Sequence, residues 1–111
     1  MNETDNATKI RTLNDQFRRT GRGGRIMLTQ GIQALGQKPV AEIIAKVRAF
    51  DQFNEGNDPY KEHDFGKIVH GHDTVFWKIA YYDRAMEFGS PDPADPAVTT
   101  RVMTVMLVEE Y

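Results

Sequence analysis

The stretch from Phe65 to Gly89 constrains this chain most, because apolar residues alternate along it around two turn-forming sites. Such alternation marks strands with one buried face. With a turn at Gly71-His72-Asp73, Val69 faces Val75, Lys67 faces Trp77 and Phe65 faces Ile79. With a second turn at Asp83-Arg84, Tyr81 faces Met86 and Ile79 faces Phe88. The two registers agree on one buried face: Phe65, Val69, Val75, Trp77, Ile79, Tyr81, Met86 and Phe88. A slip of one residue would turn them outward, so the agreement argues for a three-stranded antiparallel meander over 63–89. The other face carries Ile68, Thr74, Phe76, Lys78, Ala80, Tyr82 and Glu87. It is mixed, and is either partly solvated or a contact surface.

Helical periodicity flanks the meander. Ala7, Ile10, Leu13 and Phe17 recur every three or four residues and predict a helix over 4–20, stopped at Gly21. Arg25 to Thr29 predicts a strand. Pro39 opens a helix over 39–52 with a buried stripe of Val40, Ile43, Ile44, Val47 and Phe50. Residues 51–64 have no period and read as a long polar loop, a type that often carries function. Asp95-Pro96 resembles a helix cap followed by a first-turn proline, which predicts a helix over 96–109. The β-branched residues of that run argue the other way, for a strand. The sum is one α+β domain over 1–111. Its antiparallel sheet of three to four strands, the meander plus a strand near 25–29, is packed by about three helices, 4–20, 39–52 and 96–109.

At 111 residues a chain buries roughly two thirds of its unfolded surface, enough for one modest core. It has no cysteine, which excludes disulfides, thiolate metal sites and a cysteine nucleophile. No stretch approaches the ~20 apolar residues that span a bilayer. Met1 to Asn6 is polar and lacks the apolar core of a signal peptide, so the expected location is cytoplasmic. The net charge of −2 argues against a strong non-specific nucleic-acid binder.

Three features could carry chemistry. The 51–64 loop holds Asp51, Glu55, Asp58, Glu62, His63 and Asp64. Carboxylates and imidazole are ligands for divalent cations, with Asp58, Glu62 and Asp64 as the metal candidates. A calcium-loop frame fails at Phe53, where an oxygen ligand is required. Glu62, His63, Asp64 and Lys78 are the catalytic candidates of a metal-dependent hydrolase or nuclease. Strand geometry argues against their convergence, because neighbouring residues point to opposite faces. A hydrogen-bonded structural histidine at His63 is the simpler reading. His70 and His72 form a further pair, but at a hairpin tip and without enough partners for zinc.

The second feature is Arg18-Arg-Thr-Gly-Arg-Gly-Gly-Arg25, with Arg18, Arg19, Arg22 and Arg25 as binding candidates. It runs helix, loop, strand, so no helix N-terminus points at an anion as in the familiar phosphate loops. Solvated arginines at a helix stop are the plainer alternative. The third is Val75-Phe-Trp-Lys-Ile-Ala-Tyr-Tyr82, which predicts Phe76 and Tyr82 outward as contacts to a protein or to stacked bases. A helix covering that face would explain them equally well.

The runs Phe53-Asn-Glu, Glu62-His-Asp-Phe-Gly66, Val75-Phe-Trp-Lys-Ile79, Phe88-Gly-Ser-Pro-Asp-Pro-Ala-Asp-Pro96 and Arg101-Val-Met-Thr-Val-Met-Leu-Val-Glu-Glu-Tyr111 resemble an uncharacterised bacterial family, a domain of unknown function. The resemblance covers about residues 10–111. It implies a cytoplasmic protein often encoded on plasmids or mobile elements, and it implies no activity. The leading expectation is a non-enzymatic interaction protein with a protein partner. Nucleic acid is not favoured, no membrane is expected, and self-association is open. No cofactor is expected, a divalent metal entering only under the hydrolase alternative.

Overall fold

The computed structural model describes residues 3–111; Met1 and Asn2 of the polar N-terminal stretch lie outside the described residues. Helix α1 spans Glu3–Thr20 and ends where Gly21 takes a φ of 76° and its N–H donates to Phe17 O at 2.7 Å. Strand β1 is Arg25–Leu28. The short α2, Gln30–Gln33, is capped by Thr29, and α3 is Gln37–Ala49. Pro39 sits in the first turn of α3, where a missing N–H costs nothing. Strands β2, Phe65–His70, and β3, Asp73–Tyr82, form a hairpin, and β4 is Thr100–Leu107.

Among the described residues the strands make one sheet in the order β1-β4-β3-β2. The α+β class stands, but the sheet is mixed: β1 runs parallel to β4, while the β4-β3 and β3-β2 pairs are antiparallel. Phe17 of α1, Ile32 of α2 and Ile43 and Val47 of α3 pack in one core with Ile68, Val75, Trp77, Ile79, Met103 and Val105. These strand residues share one face of the sheet. The three helices therefore lie on that face.

Three further expectations are corrected. The 96–109 segment is not a helix. Asp95 does cap, its carboxylate accepting from Ala97 N at 2.9 Å, but it caps one 3-10 turn, Pro96–Val98. The β-branched run beyond it then extends as β4, buried on both sides as a central strand. Second, the place of the third meander strand is taken by β4. Residues 86–88 form no strand, Met86 has a φ of 61°, Phe88 is 71% exposed, and Tyr82 and Gly89 share only an isolated bridge. Third, β2 is shifted by one residue. His70 pairs with Asp73 around a two-residue Gly71-His72 turn. Gly71 has a φ of 61°, the geometry of a hairpin turn with glycine at its first central position. Gly66 and Ile68 therefore face the core, and Phe65 and Val69 do not, whereas Val75, Trp77, Ile79 and Tyr81 keep their expected face.

Candidate functional site

The 51–64 loop is ordered by its own side chains. Asn54 Oδ1 accepts from Gly56 N and Asn57 N, and Asn57 Nδ2 donates to Gln52 O. These are the local side-chain turns to which asparagine is suited. Asp58 is buried, and its Oδ1 accepts from Glu62 N at 3.1 Å and His63 N at 3.0 Å. Lys61 and His63 take φ values of 59° and 55°. This breaks strand alternation, so Glu62 and His63 both reach the helix side.

His63 lies flat on Phe53, ring centroids 3.7 Å apart and planes 2° from parallel. Its Nδ1 is 2.8 Å from Asp15 Oδ1 and its Nε2 is 3.6 Å from Asp58 Oδ2. Asp15 also accepts from Arg18 at 3.0 Å. Burial pushes the Asp15 carboxyl up, but the hydrogen bonds from His63 and Arg18 outweigh it and hold the group below its ordinary range. An ionised Asp15 can only accept, which places a proton on His63 Nδ1.

Arg18 is fully buried. Its Nε donates to Val47 O at 3.1 Å and its Nη2 to Phe50 O at 3.0 Å, so it ties α1 to the C-terminal end of α3. The guanidinium lies 5.3 Å from the Phe53 ring centroid and 5.2 Å from that of Trp77. Beside it, buried Asn14 donates to Glu62 O and Tyr81 Oη at 3.0 and 2.8 Å and accepts from Arg101 Nε at 2.9 Å. Tyr81 Oη donates to Glu62 Oε1 at 2.8 Å. Arg101 lies over the Tyr81 ring and donates to Pro93 O. Burial drives the Tyr81 phenol far above its ordinary pKa, so it stays a neutral donor.

The four catalytic candidates do not form one constellation. Glu62 is engaged by Tyr81, and His63 by Asp15 and the Phe53 ring. Lys78 projects from the helix-free face, its Nζ 6.0 Å from the Tyr111 ring centroid. The Asp64 main-chain carbonyl joins the ladder, accepting from Ile79 N at 2.8 Å, while its half-buried carboxyl interacts through space with the charges of Glu62, Asp58 and Lys78. Among the described residues no group of three or more histidine, aspartate or glutamate side chains is placed to hold a metal ion, Asp58, Glu62 and Asp64 included. His70 faces Glu42 of α3 at 3.6 Å, and His72 occupies the hairpin turn.

Asp15 and Asp64 should respond oppositely to pH. The Asp15 pKa is lowered from 3.8 in the folded state, so its ionised form stabilises the fold above 3.8, and that contribution is lost as pH falls through the folded pKa. Burial, with the Glu62 carboxylate next, raises the Asp64 pKa from 3.8, so its ionised form penalises the fold once pH rises past that value. Asp15→Asn is expected to lower the urea midpoint at neutral pH and Asp64→Asn to raise it. Both differences should shrink below pH 3.8. A pH-independent difference would refute the linkage.

The helix-free face is the second candidate. The pairing registers place its outward residues in rows across the sheet: Arg25-Val102-Ala80, then Met27-Thr104-Lys78-Phe65, then Met106-Phe76-Lys67. Tyr82 beside Thr100 closes one end, and Val69 beside Thr74 the other. Phe65, Phe76 and Tyr111 form an aromatic cluster, with Phe65–Phe76 and Phe76–Tyr111 centroids 5.1 and 5.4 Å apart. Tyr111 is 70% exposed, Val69 58% and Tyr82 36%. Of the sequence-derived binding candidates, Arg25, Phe76 and Tyr82 share this face. Arg18 is withdrawn into the core, while Arg19 and Arg22 are exposed at the end of α1 and the loop after it.

The molecule is thus a four-stranded mixed-sheet α+β protein with helices on one face and an aromatic, cationic surface on the other. Its sequence matches, over residues 28–110, the model of a protein family of unknown function, DUF3768, and the chain belongs to that family. No curated protein and no solved structure matches it. The matched range contains Phe53, Asp58, Glu62, His63, Tyr81 and Arg101, but not α1 with their partners Asn14, Asp15 and Arg18.

Proposed function

We propose that this protein is a non-catalytic interaction module that engages another macromolecule through the helix-free face of its sheet. One observation carries the reading: strands β1, β2 and β3 present exposed Met27, Val69 and Tyr82 and half-buried Phe65 and Phe76, with exposed Tyr111, on a face that no core helix covers among the described residues. Exposed aromatic and apolar side chains gathered on one face characterise contact surfaces. The polar network on the other face supports the same reading, because its carboxylates, imidazole and phenol are used to hold the loop and helices together. By its resemblance to bacterial families on plasmids and mobile elements, the chain is taken to act in the cytoplasm of such a host.

Capture from a bacterial lysate on immobilised protein tests the reading. Wild type and Lys38→Glu, altered at an exposed position on α3, are expected to retain the same macromolecule. A Lys78→Glu, Tyr82→Ala variant is expected to retain about tenfold less, the loss of a central contact. Equal retention by the face variant, with its fold intact by circular dichroism, would overturn the proposal.

A further inference from the structure

We infer that the partner of this face is a single-stranded nucleic acid, an inference that rests on the interaction reading above. The outward strand positions carry three cations, Arg25, Lys67 and Lys78, and no carboxylate. The overall charge of −2 conceals this, because the acids lie elsewhere. Asp51, Glu55, Asp58, Glu62 and Asp64 belong to the loop before β2, and Asp83, Glu87, Asp92 and Asp95 to the connection between β3 and β4; Glu109 and Glu110 precede Tyr111 beyond the end of β4, where Glu110 is taken up by Thr29 and the Gly31 and Leu107 N–H groups. Asp64, at the mouth of β2, is close enough to Lys78 for the two charges to interact. The charged side chains that the strands turn to this face are therefore all positive, complementary to a polyanion.

The aromatic residues select among polyanions. Lys67 and Lys78 alternate with Phe76 and Phe65 on neighbouring strands, so each of the two lysines is adjacent to a ring. Tyr82 and Tyr111 leave ring surface open to solvent. Cations that follow a backbone, interleaved with rings on which bases stack, are the requirements for holding an unpaired strand. A sheet with helices behind it and aromatics in front meets them in the common RNA-binding modules. A duplex keeps its bases stacked on one another and would offer these rings nothing. Thr74, Thr100 and Thr104 supply short hydroxyl donors between the rows.

Fluorescence anisotropy with labelled oligothymidylate and oligouridylate, and with a duplex of equal length, tests the inference. Single strands are expected to bind more tightly than the duplex, by about tenfold or more, since stacking contributes about 1–3 kcal/mol per base. Three phosphate contacts predict a log–log salt slope of about −2. A Lys67→Ala, Lys78→Ala variant should flatten that slope by about 1.4. Tyr82→Ala and Tyr111→Ala should weaken binding with the slope unchanged, and Lys38→Ala should change neither.

No single-strand binding at low salt, or equal affinity for the duplex, would overturn the inference. If capture from lysate still depends on Lys78 and Tyr82 but survives nuclease, the face binds protein: the interaction reading stands and the nucleic-acid inference falls. Self-association detected by sedimentation and abolished by the face variant has the same consequence. Loss of both oligonucleotide binding and face-dependent capture removes both.

Discussion

Replacing Arg18 with methionine is expected to destabilise the fold by about 3–5 kcal/mol, the usual cost of removing one partner of a buried ionic network. Methionine fills much of the same space, so the loss is not mainly one of volume. It comes from the groups left behind. Val47 O and Phe50 O lose their donors, and Asp15 loses one of its two cationic or N–H partners. Domains of this size have about 5–15 kcal/mol of total stability, so the variant could populate the unfolded state appreciably. Urea denaturation at neutral pH gives the measurement, read as a fall in midpoint with the slope retained. Arg18→Lys is expected to recover little, because one ammonium cannot serve two carbonyls and a carboxylate in the planar geometry that the guanidinium supplies. A variant within 1 kcal/mol of wild type would show that these carbonyls find water instead.

Arg18 also marks where the sequence was legible and where it was not. The apolar stripe of α1 was readable from Ile10 and Phe17, both buried. Asn14 and Arg18 lie four and eight residues beyond Ile10, on the same stripe, and both are fully buried. Helical phase alone would have placed them inward, but a stripe built only from apolar residues passes over them. Arginine beside a glycine-rich stop reads as a solvated helix end because that is its commoner use. The difference is made by the Val47 and Phe50 carbonyls, which are distant in sequence and visible only in the fold. The same holds for His63: its stacking on Phe53 is local to the loop, but Asp15 is on another element.

The sheet shows a different limit. Alternation in β3 was unambiguous, and Val75, Trp77, Ile79 and Tyr81 lie as it required. Alternation in β2 was not, because Phe65 and Val69 fit a buried face as well as Ile68 does. A glycine at position 66 carries no hydrophobic signal at all. The register was therefore decided by whether the turn used two residues or three. In β4 the Asp95-Pro96 signal was real, but a cap specifies only the first turn, and one 3-10 turn satisfies it. One consequence reaches the candidate site. The shift in β2 carries Phe65 out to join Phe76, and places Lys67 and Lys78 on the same face.

That register makes Gly66 the position least able to accept a side chain on the core face. A Cβ there would stand 2.4 Å from Trp77 Nε1, 2.7 Å from Trp77 Cε2 and 2.8 Å from Phe50 Cζ. None of these can retreat easily. Trp77 is fully buried, and Phe50 packs edge-on against it with centroids 5.5 Å apart. Gly66→Ala is therefore expected to cost about 3 kcal/mol, the upper part of the range for overpacking a filled core. At about 4–8 °C per kcal/mol for a domain near this size, the melting temperature should fall by more than 10 °C. An alanine in a strand is otherwise favourable relative to glycine, so the sign of the effect isolates the clash. The Gly66→Ala, Trp77→Phe pair sharpens the test. Phenylalanine lacks the indole nitrogen that the new methyl would strike, and Trp77 Nε1 has no hydrogen-bond partner among the described residues to forfeit. The double variant should lose clearly less than the sum of the two single losses, a coupling that a double-mutant cycle measures directly. Additive losses would mean that Gly66 is not pressed against Trp77, and that β2 pairs with β3 in the other register, with Phe65 turned to the core.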